Sequence, residues 1–328
     1  MSGAPLERIL IAGGAGFIGS YFVDRLLAEP GVRRVTVYDN FTSGREWHLR
    51  QHAADQRLTI VRADIQDTEA LTAAMRGHDT AIHLASNPDI AKAMTEPTVD
   101  FHEGTVLTHN VVEAMRVAGV GTILYASGSG VYGDIGDTEA DEDMGPLIPV
   151  STYGASKLAG EALIASYCYM FGLRGRVFRF GNVVGPRQTH GVGFDFVRRL
   201  LADAARLRIL GDGNQSKSYV DIQDVVSAVL LAAREERQPF RAYNVATGDY
   251  ITVAEIADLA VEVVGRPRGD TAFDYTGGSR GWKGDVPVIR LNTSRIRALG
   301  WSNARTSREA LLESMRAMLP LARSGAFG

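Results

Sequence analysis

Short apolar runs alternate with longer, helix-favouring stretches through the first half of the chain. Runs of this length, rich in Val, Ile and aromatic residues, are typical of buried strands. The runs that predict strands are Ile9–Ala12, Arg34–Tyr38, Leu58–Val61, Thr80–Leu84, Thr122–Ala126 and Arg176–Phe180. Because strands that alternate with helices pair in parallel and receive helices on both faces, the pattern predicts an α/β fold with a doubly wound parallel sheet.

The pattern becomes irregular after Phe180, where Gly, Pro and Arg are frequent. Loops of this kind often carry binding residues. Regular runs return at Tyr219–Ile222 and Arg241–Val245, so we expect the chain to re-enter its first domain before leaving it again. The two interleaved domains are expected to be a larger one at 1–180 plus about 217–249, and a smaller, mostly C-terminal substrate-binding one at about 181–216 and 250–328.

Composition indicates which kinds of partner the protein can bind and in which cellular compartment we expect it. The 328 residues carry 35 Lys and Arg against 38 Asp and Glu, a formal net charge of −3. This balance lacks the basic excess that nucleic-acid binding normally requires. No apolar run is long enough to span a membrane, the N-terminus lacks the features of a signal peptide, and the one cysteine, Cys168, cannot form an internal disulfide. We expect a cytoplasmic protein with no nucleic-acid, membrane or metal partner.

Three glycines, Gly13, Gly16 and Gly19, lie between the first predicted strand and a helical stretch that begins with Phe17 and Ile18. In this strand, loop and helix context the spacing is the signature of a dinucleotide site. The first glycine permits a tight turn, the second lets the backbone approach the pyrophosphate, and the third lets the helix pack on the strand. The N–H groups and positive dipole end of the helix favour the phosphates. The larger domain is therefore predicted to be Rossmann-like.

An acidic residue, Asp39, follows the second predicted strand about twenty residues after Gly19, and Asn40 comes next. A carboxylate at this position can accept hydrogen bonds from both hydroxyls of the adenosine ribose. The same negative charge would repel a 2′-phosphate. We therefore predict that the cofactor is NAD and not NADP.

Tyr153 and Lys157 lie four residues apart in a stretch, Tyr153–Phe171, whose Ala, Leu and Glu content favours a helix. Residues at this spacing are neighbours on one helix face. A phenol titrates near ~10 in model peptides, but a neighbouring ammonium and an oxidised nicotinamide both favour the phenolate. We expect Tyr153 to take a proton from a substrate hydroxyl as hydride moves to the cofactor, and Lys157 also to contact the nicotinamide ribose.

Ordered motifs along nearly the whole chain resemble the extended short-chain dehydrogenase/reductase family, specifically its nucleotide-sugar epimerases and dehydratases. Besides the glycine loop and the Tyr153–Lys157 pair, the matching segments are Asp39–Asn40, Ala63–Ile65, His83–Ala85, Ser127–Gly133, Asn182, Gly185–Arg187 and Lys217–Tyr219. For the cofactor, the resemblance implies that Asp64 and Ile65 flank the adenine and that Leu84 and Ala85 line the cleft.

For the substrate, the resemblance implies that Asn182, Arg187 and Lys217 bind the nucleotide diphosphate part of a nucleotide sugar. The two long helical stretches at 98–118 and 153–171 are of the kind that form a contact between two copies of a chain. We therefore expect a homodimer that binds a nucleotide-sugar substrate.

The loop before Val131 departs from part of the family. Dehydratases and decarboxylases of the family place a Glu just before this Val, and dehydratases often add an Asp. Here the loop consists of Gly128, Ser129 and Gly130, with no carboxylate. A 4-epimerase needs only a Tyr, a Lys and a hydroxyl relay. Because the usual relay Ser or Thr falls at Gly128, either Ser127 or Ser129 must replace it, and we expect Ser129 because it lies closer to the loop.

Two further departures concern substrate binding. Glu103 and Gly104 stand where these epimerases usually have Asn, and Trp282 stands where an Arg usually binds the diphosphate. Arg280 is the candidate replacement, since a guanidinium makes bidentate contacts to phosphate. The sequence predicts an NAD-dependent nucleotide-sugar 4-epimerase, most simply of a UDP-sugar. The alternatives are a nucleotide-sugar 4,6-dehydratase or uronate decarboxylase, and a non-catalytic NAD-sensing binding protein.

Overall fold

The computed structural model describes residues 5–323, so the outermost residues of the two expected domains, 1–4 and 324–328, lie outside the described part. Its strands are β1 (Arg8–Ala12), β2 (Arg34–Asp39), β3 (Leu58–Arg62), β4 (Thr80–His83), β5 (Thr122–Gly128), β6 (Glu139–Ala140), β7 (Arg174–Phe180), β8 (Asn182–Val184), β9 (Arg206–Ile209), β10 (Ser216–Lys217), β11 (Tyr219–Asp221), β12 (Phe240–Val245), β13 (Ile251–Thr252), β14 (Ala272–Tyr275) and β15 (Arg290–Leu291). Its α-helices are α1 (Phe17–Leu27), α2 (Thr68–Met75), α3 (Leu107–Ala118), α4 (Thr152–Phe171), α5 (Val192–Ala202), α6 (Ile222–Glu235), α7 (Val253–Val264), α8 (Ser294–Arg297) and α9 (Ser307–Arg323).

Seven strands form the central sheet, in the order β12-β7-β5-β4-β1-β2-β3, and every pairing between them is parallel. Alternate residues of β1 enter different cores, because successive side chains of a strand point to opposite faces. Ile9 and Ile11 pack with α1 and α6 on one face, whereas Leu10 packs with α3 and α4 on the other. The predicted doubly wound parallel sheet is confirmed.

A smaller set of elements packs beyond the carboxyl ends of the central strands. It contains the two-stranded pairs β8–β11, β9–β14, β10–β13 and β6–β15. The helices α5, α7 and α9 share a separate apolar core, to which Val197, Leu259 and Met315 contribute. This core faces the sheet across the loops that follow its strands, and a cleft lies between them.

The stretch 98–118, expected to be one long helix, changes geometry along its length. Phe101–Val106 forms a wider π-helical turn, and the regular α-helix begins at Leu107. Gly104 brings this turn close to α4, since a Cβ at this position would lie 2.6 Å from Ser156 Oγ. The turn also directs Glu103 toward the cleft. Sequence composition could not reveal this widening, because it depends on the neighbouring helix.

Two findings bear on partners. No helix within residues 5–323 is long and apolar enough to cross a bilayer. In the same part of the chain, no group of three or more His, Cys, Asp or Glu side chains could hold a metal ion.

Candidate active site

A cleft of about 620 Å³ opens at the carboxyl ends of β1, β4 and β5. In open parallel sheets this is where ligands bind, at the point where the strand order reverses. It is lined by most of the residues that the sequence nominated: Gly13, Gly16, Phe17, Ile18, Gly19, Asp39, Asn40, Asp64, Ile65, Leu84, Ala85, Ser127, Ser129, Tyr153, Lys157, Asn182 and Lys217.

The glycine loop has the shape that a bound pyrophosphate requires. Gly13 has a φ of +84°, and a Cβ there would lie 2.7 Å from the backbone N of Ala85. A Cβ at Gly19 would lie 2.4 Å from the Gly13 carbonyl oxygen, so helix α1 packs directly on the loop. A Cβ at Gly16 would meet only the Gly13 oxygen, at 3.3 Å, and would otherwise occupy the cleft. The backbone thus fits a phosphate group at the start of α1.

Asp39, at the end of β2, is held rigidly beside this loop. Its Oδ2 accepts a hydrogen bond from the Ala15 N–H at 2.9 Å, and its Oδ1 accepts one from the Phe41 N–H at 2.8 Å. Each carboxylate oxygen keeps a lone pair for a ribose hydroxyl. Asn40 donates to Asp64 Oδ2 at 2.8 Å and so links the end of β2 to the segment that follows β3.

The Tyr153–Lys157 pair lies at the start of α4, as the sequence predicts. Ser151 begins the helix, because its hydroxyl accepts a hydrogen bond from the Gly154 N–H at 3.1 Å. Lys157 is buried and donates to the Ala126 carbonyl at 2.9 Å. Its Nζ lies 5.4 Å from the centre of the Tyr153 ring.

Desolvation dominates the proton affinities of this pair. Burial lowers the pKa of Lys157 to about 8, against the raising effect of the nearby carboxylates. Burial also raises the pKa of Tyr153 to about 12, and the nearby Ser86 side chain acts in the lowering direction. The sequence argument considered the ammonium and the oxidised nicotinamide but not the burial of the phenol. A cationic group inside the cleft would act in the opposite direction and favour the phenolate.

The two candidate relay serines differ in their surroundings. The Ser127 hydroxyl donates to Glu161 Oε1 at 2.6 Å. Glu161 is in turn held by a buried ion pair with Arg179, at 2.7 Å. Ser129 lies beyond the end of β5, at the start of a 3₁₀ turn. Both serines line the cleft, but the hydroxyl of Ser127 already donates its proton to a hydrogen bond with Glu161.

The substrate side of the cleft contains fewer cations than the sequence suggested. Lys217 lines it and forms an ion pair with Asp285, with Nζ 2.6 Å from Oδ1. Arg187 lies outside the lining and bonds to Asp24 at 2.6 Å. Arg280 also lies outside and is paired with Asp134. Among the described residues, no arginine lines the cleft.

Several lining residues escaped the sequence reasoning. The positions after β4 could have been found, because the carboxyl ends of parallel strands meet at one edge of the sheet. Others come from loops whose folding depends on distant partners. The lining residues that sequence reasoning did not assign to the site include Ser86, Asn87, Gln188, His190 and Asp285. Glu103 and Trp282, whose roles were left open, also line the cleft.

Comparisons with known proteins agree with this geometry. The sequence profile of the NAD dependent epimerase/dehydratase family matches residues 9–246. A UDP-glucose 4-epimerase from Mycolicibacterium smegmatis is 34% identical over 302 residues, 90% of this chain and 93% of the relative. A solved UDP-galactose 4-epimerase is 36% identical, with a TM-score of 0.84 over 96% of this chain and 99% of that one.

The dehydratase branch is similar as well. A dTDP-glucose 4,6-dehydratase from Streptomyces venezuelae, solved with NAD bound, is 29% identical and has a TM-score of 0.86. The match covers 95% of this chain and 96% of that one. NAD is therefore the cofactor of the family, while the reaction differs between its branches.

Proposed function

Since the chain belongs to the NAD dependent epimerase/dehydratase family, we propose that it is a nucleotide-sugar 4-epimerase acting on a UDP-hexose or UDP-hexuronate. When bound, NAD supplies a hydride acceptor at sugar C4 and then a donor to the opposite face. The keto sugar turns over within the cleft between these two events. The product is an isomer of the substrate, and no NAD is consumed.

The loop at the end of β5 is the observation that carries this proposal. Gly128, Ser129 and Gly130 all line the cleft and offer one hydroxyl and no carboxylate. Elimination of water requires one group that removes the C5 proton and another that protonates the departing hydroxyl. A loop without acids supports hydride transfer at C4 and gives little help to elimination.

Tyr153 and Lys157 carry the chemistry in this proposal. Tyr153 accepts the proton of the C4 hydroxyl during oxidation and returns it during reduction. Lys157 is fixed by its bond to the Ala126 carbonyl and places its charge beside the phenol ring. In a cleft of low dielectric, that charge stabilises the phenolate more than it would in water. A non-catalytic NAD-binding protein would not need this Tyr–Lys pair, so the pair favours an enzyme.

Glu103 favours a second candidate function. Its side chain is the carboxylate that the π-helical turn directs toward the cleft. With a substrate bound, it could remove a proton as dehydratase chemistry requires, and a uronate decarboxylase is the related possibility. This candidate needs an acid from outside the β5 loop.

Product analysis tests the proposal. Purified protein is incubated with UDP-hexoses, UDP-hexuronates and dTDP-hexoses, and the products are analysed by chromatography and mass spectrometry. We expect an isomer of unchanged mass. A product that has lost water or carbon dioxide would instead establish the second candidate. In that case both Glu103→Gln and Tyr153→Phe should abolish formation of this product.

We also propose that two copies associate through α3 and α4. These helices pack against each other and expose apolar side chains, including Val117, Met170 and Phe171. Sedimentation should show a dimer, and Met170→Glu with Phe171→Glu should yield monomers. Sedimentation of the native chain as a monomer would refute the dimer.

A further inference from the structure

A buried carboxylate, Asp100, joins the loop after β4 to the first turn of α4. Asp100 is 1% exposed. Its Oδ1 accepts a hydrogen bond from Asn87 Nδ2 at 2.9 Å, and its Oδ2 accepts one from the Thr152 hydroxyl at 2.7 Å. Because a carboxylate can only accept, both neighbours are donors, and each oxygen is bonded to a different segment. The carboxylate therefore bridges two segments that are distant in the chain.

Asn87, at one end of this bridge, is itself held rigidly. It is 3% exposed, its Nδ2 also donates to the Asp89 carbonyl at 2.8 Å, and its Oδ1 accepts from the Asp89 N–H at 3.0 Å. Two residues earlier, the Ala85 N–H donates to the Ala12 carbonyl at 3.1 Å. A Cβ at Gly13 would lie 2.7 Å from that same Ala85 nitrogen. This end of the bridge therefore packs directly on the glycine loop.

Thr152, at the other end, is the first residue of α4, and Tyr153 follows it directly. A second contact lies one helical turn farther along, where Gly104 lies close to Ser156. Residues four apart share a helix face, so both contacts are made by the face that packs against the segment beginning at Asp100. The first turn of α4 is thus held on both sides of Tyr153.

We propose that Asp100 is a positioning residue of the reaction, which fixes the phenol of Tyr153 relative to the glycine loop. Oxidation of a sugar hydroxyl sends a hydride to the nicotinamide and a proton to the phenol from one carbinol group. The two acceptors must therefore be held at a fixed separation. Asp100 does not line the cleft, so it acts through Tyr153. The proposal rests on the proposed function only through this oxidation, which epimerase and dehydratase reactions share.

The charge of Asp100 has effects that differ from those of the bridge. Burial lowers the pKa of Lys157, and the charge of Asp100 acts against this and keeps the ammonium protonated. Burial raises the pKa of Tyr153, and Asp100 acts in the same direction and disfavours the phenolate. Because these two effects of the charge oppose each other in catalysis, the bridge is the larger contribution of Asp100 to turnover.

Two substitutions separate the bridge from the charge. In Asp100→Asn, the amide oxygen can accept from Asn87 while the amide nitrogen donates to the Thr152 hydroxyl, which can also accept. This variant removes the charge and keeps the bridge. Thr152→Val removes the hydroxyl but keeps the branched shape and the charge, so it opens the bridge. Thr152→Ser restores a hydroxyl at the same position.

Opening the bridge should slow turnover more than removing the charge. Displacement of a catalytic group by about 1 Å can cost 10²-fold, so Thr152→Val should lower kcat by roughly 10- to 100-fold. KM and bound NAD should change little, because Thr152 does not line the cleft. Thr152→Ser should retain most activity, and Asp100→Asn should lose less than Thr152→Val. A purely structural bridge would lower the melting temperature and leave kcat of the folded protein unchanged.

Thr68→Val is the matched control. Thr68 is likewise the first residue of its helix, α2, and it is exposed and lies outside the cleft. The change is the same in chemistry and in helix position, so kcat and bound NAD should match those of the native protein. Should Thr152→Val not fold, Thr152→Ala takes its place, since Ala is the stronger helix former.

Titration of the phenol measures the charge without any need for turnover. Ultraviolet difference titration of the NAD-loaded protein, with Tyr153→Phe as the reference, follows phenolate formation at Tyr153. Since Asp100 acts to raise the pKa of this phenol, Asp100→Asn should titrate at lower pH than the native protein. Thr152→Val keeps the charge and should shift less. The other titratable groups around the phenol, which both variants leave unchanged, are Glu103, Lys157, Glu161, His83 and Tyr125.

Native kcat in a folded, NAD-loaded Thr152→Val would overturn the positioning role, as would a larger loss in Asp100→Asn than in Thr152→Val. An unshifted phenol titration in Asp100→Asn would also overturn it, because the carboxylate would then be too far from the phenol. Absence of any isomer from the native protein would overturn the proposed epimerase alone. The bridge is then tested by single-turnover reduction of the bound nicotinamide, which should be slowed in Thr152→Val, and by the same titration.

Discussion

The cofactor side and the substrate side of the cleft are built in different ways. On the cofactor side, the binding surface consists of backbone geometry and one fixed carboxylate. Gly13, Gly19 and Asp39 are held in place by contacts with neighbouring backbone. On the substrate side, cationic groups are already paired with carboxylates of the protein, as Lys217 is with Asp285. The first side is preorganised for its ligand, whereas the second must exchange internal partners for a substrate.

The largest effects are expected for Tyr153 and Lys157, which lie at the boundary between the cofactor side and the substrate side. Tyr153→Phe removes the phenol oxygen but keeps the ring, so turnover should fall by roughly 10² to 10⁴ or more while NAD stays bound. Lys157→Ala should impair both, because the ammonium also supports the cofactor side. Turnover is followed by product chromatography and bound NAD after denaturation. Near-native turnover by Tyr153→Phe would remove the phenol from the mechanism.

Rigidity of the cofactor side predicts a large effect of Gly13→Ala. The positive φ alone costs about 1–3 kcal/mol for a non-glycine residue, and the new Cβ would also meet the Ala85 backbone at 2.7 Å. We expect loss of bound NAD together with a lower melting temperature. Gly119→Ala is the matched control, since Gly119 has a φ of +76° but no atom within 4 Å of a Cβ. Equal NAD content in the two variants would contradict a preorganised loop.

Asp39→Asn tests whether charge, beyond shape, selects the cofactor. The amide can still accept one of the two backbone hydrogen bonds, so the fold should persist. A hydrogen bond to a charged group contributes about 1.5–3 kcal/mol, so NAD affinity should fall roughly 10- to 100-fold. NADP affinity should rise, because the repulsion of a 2′-phosphate is gone. Calorimetric titration of the apoprotein with both cofactors measures the ratio, and an unchanged ratio would assign selection to shape.

The smallest expected effect lies on the substrate side. Asp285→Asn removes the charge that pairs with Lys217, so the ammonium becomes free to bind a diphosphate. UDP should then bind a few-fold more tightly, which corresponds to about 1 kcal/mol of binding free energy. Lys217→Met should weaken UDP binding by a similar factor. Calorimetric titration with UDP compares the two. Weaker binding by Asp285→Asn would mean that the carboxylate orients the lysine and does not compete with the substrate.

Sequence reasoning succeeded where the determinant is local. The glycine loop, the strand that ends at Asp39 and the helix that carries Tyr153 and Lys157 each depend on residues close in the chain, and the structure has all three. It did not foresee pairings that join distant segments. Arg280, expected near the diphosphate, bonds to Asp134 across 146 positions of sequence. Such partners are set by tertiary packing, which no local pattern encodes.

The same locality explains why the burial of the phenol was not foreseen. The spacing of Tyr153 and Lys157 correctly placed the ammonium beside the phenol. Burial raises the pKa of the phenol, and the sequence spacing contains no information about that burial. Burial is a property of the whole fold, as is the pair of hydrogen bonds through which the buried Asp100 joins Asn87 to Thr152.

The edge strand β12 is the last strand of the central sheet to be synthesised, and this affects how the chain folds on the ribosome. β7 has β12 as its outer neighbour, with Phe178 stacked 5.9 Å from Tyr243, yet residues 181–239 are synthesised between them. Until residue 245 emerges, β7 exposes an apolar parallel edge that can pair with other chains. A fragment that stops at residue 180 should therefore aggregate, and a nascent chain depends on its last sheet strand for solubility.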